Sequence, residues 1–134
     1  MKVLSVIARI ILGGSFAVFG LNGLLPQPFV NPPPMNETAT EFLGALISTG
    51  YMFQLLKITE VVGGLMVLSG VLLPLGLVIL APVMLNIILF HLFLEQTLPG
   101  TALPALMLVS HLFLLWAYRN NLRSLFESHP YLTP

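Results

Sequence analysis

The stretch LLKITEVVGGLMVLSG, residues 55–70, decides the fold of this chain. It is apolar enough to lie in hydrocarbon, yet Lys57 and Glu60 stand three positions apart inside it. Side chains at i and i+3 share one face of a helix, so the two charges can pair, which lowers the cost of burying either. The small residues on the Glu60 face are Gly63, Gly64 and Gly70. Such residues let another helix approach closely, so the stretch predicts a membrane-spanning helix whose Glu60 face turns into a bundle.

The composition of the whole chain indicates the same environment. Of its 134 residues, 57% are apolar and 7% are charged, and the mean hydropathy is +0.97. A soluble domain carries about a quarter charged residues, so this chain is expected to be an integral membrane protein. The five basic and five acidic residues balance, so nothing indicates a nucleic-acid partner. Cysteine is absent, which excludes disulfides, thiolate metal sites and thiol redox chemistry within the chain.

Four apolar runs are long enough to cross a bilayer as helices. They cover approximately residues 3–25, 51–72, 75–94 and 102–118. Between the first two runs, the apolar spacing of residues 38–48 predicts a short amphipathic helix on the bilayer surface, begun by a capping box of Thr38 and Glu41. The expected fold is therefore all-α: one domain, residues 1–134, forming a four-helix transmembrane bundle with an interfacial helix between spans 1 and 2.

The basic residues indicate how the bundle is oriented. Lys2 and Arg9 lie at the start of the chain, and Arg119 and Arg123 follow the last span, whereas the loops after the first and third spans have no Lys or Arg. The positive-inside rule then places both termini in the cytoplasm. The first apolar run is too long for a signal peptide and is read as a retained span, and the polar tail from Arg119 is expected to lie at the interface or to be loose.

This orientation gathers polar side chains in the outer half of the membrane. The candidate ligand-binding residues are Asn22, Lys57, Glu60, Asn86, His91 and Glu95. Charges inside a membrane are functional hypotheses by default. His91 and Glu95 are i and i+4 neighbours, so Glu95 can orient the imidazole. Asn86 lies about 140° around the helix from His91, so the two do not point at one spot unaided.

Each candidate also has a structural interpretation, and the sequence leaves both open. The Lys57–Glu60 pair can neutralise itself and only fix helix packing, and His91 can bond a loop carbonyl. Glu95 can be a solvated charge at the boundary of the membrane. Asn86 and His111 are typical of hydrogen bonds between helices, and Arg9 is typical of an anchor that reaches the headgroups.

Recognisable catalytic motifs are missing from the sequence, which has no P-loop, G-x-S-x-G or H-E-x-x-H. The His91–Glu95 pair falls short of the three or four protein ligands that zinc needs, so no metal site is predicted. His91 and His111 lie at different depths and give haem ligation only weak support.

Three stretches together resemble the DoxX family of small bacterial four-helix membrane proteins. They are RIILGGSFAVFGLNG from Arg9, LLKITEVVGGLMVLSG from Leu55 and LAPVMLNIILFHLFLE from Leu80, and the resemblance extends over nearly all of residues 5–119. Gly23 departs from the pattern, because a lysine is expected after the Asn in many relatives. Any role of that lysine therefore does not carry over to this chain.

The resemblance implies a location in the bacterial inner membrane and a link to redox chemistry. Some relatives are subunits of thiosulfate:quinone oxidoreductase, and others associate with redox-stress enzymes. The expected function is a membrane subunit that binds a quinone-like molecule, with Glu60 and His91 on its head and Phe16, Phe90 and Met66 around its tail. The alternative is a non-catalytic scaffold, assembly factor or chaperone. The expected partners are the lipid bilayer, a redox-enzyme subunit or a second copy of the chain.

Overall fold

The computed structural model describes residues 1–127, and the regular structure of this part of the chain is helical. The five long helices are α1 Lys2–Leu24, α2 Glu37–Ser48, α3 Met52–Ser69, α4 Leu73–Glu95 and α5 Leu98–Ala117. All but α2 are long and apolar enough to cross a membrane, which confirms the predicted all-α bundle of four spanning helices. Two short turns, Arg119–Leu122 and Arg123–Phe126, follow α5, and the last part of the polar tail, residues 128–134, lies outside the described residues.

The four spanning helices form a ring in which neighbours are antiparallel. Helix α3 packs against both α1 and α4. Helix α5 packs against α4 on one side and against α1 on the other, which closes the ring. Short loops favour this up-down arrangement for α3, α4 and α5. We call residues 25–36 the connector. The end of the bundle where α1 begins and α5 ends is the terminal end, and the opposite end, which carries the connector and α2, is the connector end.

Glycines set the spacing between α1, α3 and α4. A Cβ on Gly13 of α1 would lie 2.7 Å from the carbonyl oxygen of Gly64, and a Cβ on Gly64 would lie 2.9 Å from that of Gly13. On the other side of α3, a Cβ on Gly63 would lie 2.7 Å from the side chain of Leu80. Glu60 is buried on this same face. The glycine face of α3 is therefore a packing face turned into the bundle, as the sequence predicts.

Adjacent glycines in α1 provide a matched test of this packing. We expect Gly13→Ala to lower the free energy of unfolding by about 1–3 kcal/mol, the usual cost of overpacking, because its methyl group would lie 2.6 Å from the backbone nitrogen of Leu68. Gly14 has no atom within 4 Å of the position of a Cβ, so Gly14→Ala should be neutral. Unfolding in detergent micelles measures both, and equal effects would contradict the close approach of α1 and α3.

Several helix boundaries differ from the predicted ones for local reasons. Helix α3 ends at Ser69 because Gly70 adopts a left-handed conformation with φ 83°, the usual glycine stop of a helix. Helix α4 continues to Glu95 through a π-helical turn, His91–Glu95. Helix α5 begins at Leu98, earlier than predicted, because Pro99 sits in its first turn, where no backbone N–H is needed.

Helix α2 begins with a different N-cap from the predicted capping box of Thr38 and Glu41. Asn36 is the N-cap, and its side-chain oxygen accepts a hydrogen bond from the backbone N–H of Ala39 at 2.9 Å. Thr38 lies inside the helix. An asparagine is as good an N-cap as a serine or threonine, so the helix begins two residues earlier than the Thr38–Glu41 pattern indicates.

Arg9 has a role in helix packing that the predicted headgroup anchor does not include. Its Nε donates to the carbonyl oxygen of Val67 at 3.0 Å, and its Nη2 donates to that of Leu68 at 2.9 Å. The guanidinium thus satisfies carbonyls at the C-terminus of α3, which a helix leaves without partners. Arg9 therefore fastens α1 to α3.

The apolar core fills mainly the terminal half of the bundle. Its fully buried side chains include Leu12 of α1, Val67 of α3, Leu77 and Leu80 of α4, and Leu114 of α5. All belong to the parts of their helices that lie toward the terminal end or the middle. The connector half of the bundle contains fewer of these fully buried apolar side chains.

Candidate functional site

A cavity of about 390 Å³ occupies the connector half of the bundle. All four spanning helices contribute to its wall, and α2 and the connector also contribute. Its polar side chains are Ser15, Lys57, Glu60, Asn86, His91 and Glu95. The volume lies within the range of roughly 300–1,000 Å³ that is usual for small-molecule sites. Five of the six predicted site residues therefore line one cavity, and Asn22 is the exception.

Lys57 and Glu60 form an ion pair within α3. The Lys57 ammonium donates to both carboxylate oxygens of Glu60, at 2.9 and 3.2 Å. The side chain of Glu60 is 5% exposed and that of Lys57 is 18% exposed. The Lys57 nitrogen also lies 5.5 Å from the ring centroid of Phe53. Because an ammonium has three N–H groups, one donor remains after the two bonds to Glu60.

Gly23 makes room for the Lys57 side chain. A Cβ on Gly23 would lie 2.7 Å from Cδ and 2.9 Å from Cε of Lys57. The aliphatic stem of Lys57 therefore passes directly over α1 at a position where any larger residue would displace it. The absence of a side chain at Gly23 therefore leaves the space that the Lys57 stem occupies.

His91 presents one ring nitrogen to the cavity. Its Nδ1 lies 2.8 Å from the backbone carbonyl oxygen of Ile87, one turn earlier in α4. A carbonyl can only accept, so Nδ1 carries the proton, and in a neutral ring Nε2 is then a free acceptor. The ring packs edge-on against Phe90 at 5.2 Å between centroids. The orienting partner of His91 is therefore a carbonyl of its own helix, not Glu95.

Glu95 is buried and holds the connector to α4. Only 4% of the residue is exposed, so the interpretation as a solvated boundary charge is wrong. Its carboxylate accepts from the hydroxyl of Thr97 at 3.1 Å and from the backbone N–H of Asn36 at 3.3 Å. The Asn36 amide in turn donates to the carbonyl oxygens of Leu94 and Glu95. Glu95 thus joins the end of α4 to the start of α2, while one side of it lines the cavity.

Asn86 lies deeper in the cavity wall than His91. The two residues stand at opposite edges of the α4 face that lines the cavity, with Ile87 and Phe90 between them, in agreement with the predicted angle of about 140°. Asn86 is exposed, and within residues 1–127 its amide makes no hydrogen bond to another helix. Its donor and acceptor are therefore available to a molecule in the cavity.

Asn22 holds the other end of the connector. Its amide donates to the carbonyl oxygen of Val30 and accepts from the Val30 backbone N–H, both at 2.9 Å. Both polar atoms of the side chain are therefore engaged with the loop. The structure thus places Asn22 outside the cavity wall and gives it a structural partner.

We expect Asn22→Ala to loosen the connector. Losing one hydrogen bond to the Val30 N–H costs about 1 kcal/mol or more, so the Val30 amide should exchange with solvent roughly fivefold to tenfold faster. Hydrogen exchange measures this at the residue concerned. Asn120→Ala, at an exposed position, is the control, and unchanged exchange at Val30 in Asn22→Ala would contradict the anchoring role.

Other lining residues were missed by reasoning from sequence. Phe42, Leu43 and Leu46 of α2, the predicted interfacial helix, also line the cavity, and the Phe42 ring centroid lies 5.8 Å from that of Phe90. Pro104 of α5 also lines the cavity, and it has no N–H for the carbonyl of Gly100 one turn earlier. The sequence does contain a signal for this free carbonyl, because Pro104 lies inside an apolar run that predicts a helix.

Of the three residues expected to enclose the hydrocarbon tail of a ligand, two line the cavity and one does not. Phe16 and Phe90 line the cavity. Met66 lies elsewhere, with its Cβ against Gly76 between α3 and α4. Met66 is therefore part of the helix packing.

His111 has the interhelical role that the sequence indicates. Its Nε2 lies 3.1 Å from the backbone carbonyl oxygen of Leu77, which joins α5 to α4. The residue is 2% exposed, and its Nδ1 is buried and has no hydrogen-bond partner within the described residues 1–127. Among residues 1–127 no three His, Asp or Glu side chains come together as metal ligands.

The fold and the cavity define a class of protein: a multi-pass membrane protein built as a ring of four helices, with a partly polar cavity at one end. The chain belongs to the DoxX family, whose model matches residues 4–92. The matched range contains α1 from Leu4, all of α2 and α3, and α4 as far as Leu92, so it includes Lys57, Glu60, Asn86 and His91. The comparisons with curated proteins and with solved structures give no match.

Proposed function

We propose that this DoxX-family protein binds a quinone-like amphiphile, with the oxygen-bearing head in the cavity and the hydrocarbon chain among its apolar residues. The observation that carries the proposal is the convergence of Lys57, Glu60, Asn86 and His91, from two helices, on one cavity that is otherwise mainly apolar. Ligand sites combine such apolar walls with a few convergent polar groups.

The Lys57–Glu60 pair supports binding over a purely structural role. Both residues lie in α3, three positions apart, so their ion pair does not link one helix to another. Taking two charges out of water is costly. A pair within one helix does not offset that cost by specifying how one helix packs against another. A charged group placed beside a cavity under these conditions favours a function for the cavity.

The available donors and acceptors match a head with both carbonyl and hydroxyl oxygens. His91 Nε2 accepts from a ligand hydroxyl, since Nδ1 is already engaged with Ile87. The third N–H of Lys57 donates to a ligand carbonyl. Glu60, bonded to that ammonium, fixes the position of the donor and is the group next to it that can exchange a proton.

In this proposal the chain is a membrane subunit of the bacterial inner membrane with both termini in the cytoplasm, and its cavity faces outward. It has no cysteine, so electron transfer to or from the bound quinone would need a redox-enzyme partner. The chain contributes the binding, orientation and shielding of the quinone, while the partner contributes the redox centre.

A scaffold function has one observation in its favour. Glu95 accepts one hydrogen bond each from Thr97 and Asn36 and holds the connector in place, which is a structural use of a buried carboxylate. If the cavity bound no ligand, Glu60 would also be a buried carboxylate with a purely structural role. The two functions therefore differ in whether removing a polar side chain changes a ligand or only stability.

Titration of the purified chain with a water-soluble short-chain quinol tests the proposal. We expect saturable binding by the wild type and at least tenfold weaker binding by His91→Ala and Glu60→Gln, the loss expected for one hydrogen bond to a charged or buried partner. Glu41→Gln changes an exposed carboxylate of α2 and should bind as the wild type does. Absence of saturable binding, or equal loss in all three variants, would favour the scaffold.

A further inference from the structure

We infer that the cavity opens sideways to the bilayer between the connector-end halves of α1 and α5, and that the hydrocarbon chain of the bound molecule passes through this opening. The inference rests on the proposed function and adds to it the route of access. It also narrows the ligand class to molecules with one compact head and one long hydrocarbon chain.

The opening results from the way α1 and α5 diverge. Helix α5 packs against residues 2–14 of α1 but has no comparable contact with Ser15–Leu24. At the terminal end the two helices are joined through the hydroxyls of Ser5 and Tyr118, 3.3 Å apart. The ring of helices is therefore closed at the terminal end and parted at the connector end, where the cavity lies.

Apolar side chains border the gap on both sides. Phe19 of α1 and Leu103 of α5 line the cavity and are 39% and 38% exposed. Each lies five residues from the connector end of its helix, a depth of about 8 Å at 1.5 Å per residue. That depth is the level of acyl chains below the headgroups, so we define the side opening by Phe19 and Leu103.

The end of the cavity that faces the water is covered. The connector is fixed to α1 by Asn22 and to α4 by Glu95, and Pro32 and Pro33, between these two anchors, line the cavity. The rigid proline segment therefore bridges the space from α1 to α4. Residues of α2 cover the side toward α3 and α4, so the gap between α1 and α5 is the part of the rim without such a cover.

Binding of two quinols that share a head tests the inference. One carries a long isoprenoid chain and the other a short chain, and both are titrated against the chain in lipid nanodiscs. We expect Leu103→Trp to weaken or slow binding of the long-chain quinol at least tenfold more than binding of the short-chain quinol. Phe19→Trp narrows the same opening from α1 and should act in the same direction.

Leu89→Trp is the matched control, because Leu89 of α4 is 42% exposed, lies six residues from the end of its helix and is outside the cavity wall. It should leave binding of both quinols unchanged. Normal binding of the long-chain quinol by both opening variants, or equal loss of both quinols, would overturn the side opening while leaving the proposed function in place. Absence of binding of either quinol to the wild type would overturn both.

Discussion

Replacing Lys57 by methionine should lower the free energy of unfolding by about 3–5 kcal/mol. The substitution leaves the carboxylate of Glu60, whose side chain is 5% exposed, without the ammonium that bonds both of its oxygens. Breaking a buried pair by removing one partner has a cost in this range, since an uncompensated charge is left in a medium of low polarity. Chemical denaturation in mixed micelles measures the change, and Lys2→Met, at an exposed lysine, is the control.

The double variant Lys57→Met with Glu60→Leu should recover most of that stability. Replacing both members of a buried pair by apolar residues of similar size is often neutral or stabilising. A double variant as unstable as Lys57→Met would mean that the pair itself holds the bundle together. That result would contradict the inference that the charges are retained for the cavity.

The second large effect concerns binding by this same double variant. It should fold and remain stable, yet bind a quinone-like head at least tenfold more weakly than the wild type. The variant lacks the remaining Lys57 N–H donor and the carboxylate that positions it, and a hydrogen bond to a charged group contributes about 1.5–3 kcal/mol, which corresponds to roughly 10- to 150-fold in affinity. Equilibrium binding in nanodiscs measures the loss.

Two comparisons make the binding result specific. Gly14→Ala, at a position where a Cβ meets no neighbour within 4 Å, should bind normally. Gly13→Ala should be less stable but, once folded, should bind with wild-type affinity, because it alters packing away from the polar groups. If binding weakened in proportion to the loss of stability in each variant, and not only where Lys57 and Glu60 are replaced, the account would be contradicted.

Much of the fold is readable from the sequence because it depends on local patterns. The apolar runs give the number of spanning helices, and the spacing of Glu60, Gly63 and Gly64 identifies the packing face of α3. Helical geometry alone also gives the placement of Asn86 and His91 at two edges of one face. These features depend on residues close together in the chain, so no knowledge of tertiary structure is needed to predict them.

The parts of the site that depend on distant residues could not be predicted in this way. The partners of Glu95 and Asn22 are backbone groups of the connector, such as the N–H groups of Asn36 and Val30, and a backbone group has no signature in the sequence. The place of Phe42 in the cavity wall could not be predicted for a similar reason, since the amphipathic pattern of α2 shows that one of its faces is covered but not which residues cover it. The gap between α1 and α5 arises from the crossing of whole helices and has no local pattern.

Native mass spectrometry most directly tests the central claim that the cavity holds a ligand. The wild type and the Lys57→Met, Glu60→Leu double variant would be released from the same bacterial membranes and compared at equal folded fraction. The account predicts about one bound amphiphile with an oxygen-bearing head for each wild-type chain, and little or none on the double variant. The same bound molecules on both proteins, or none on either, would contradict it.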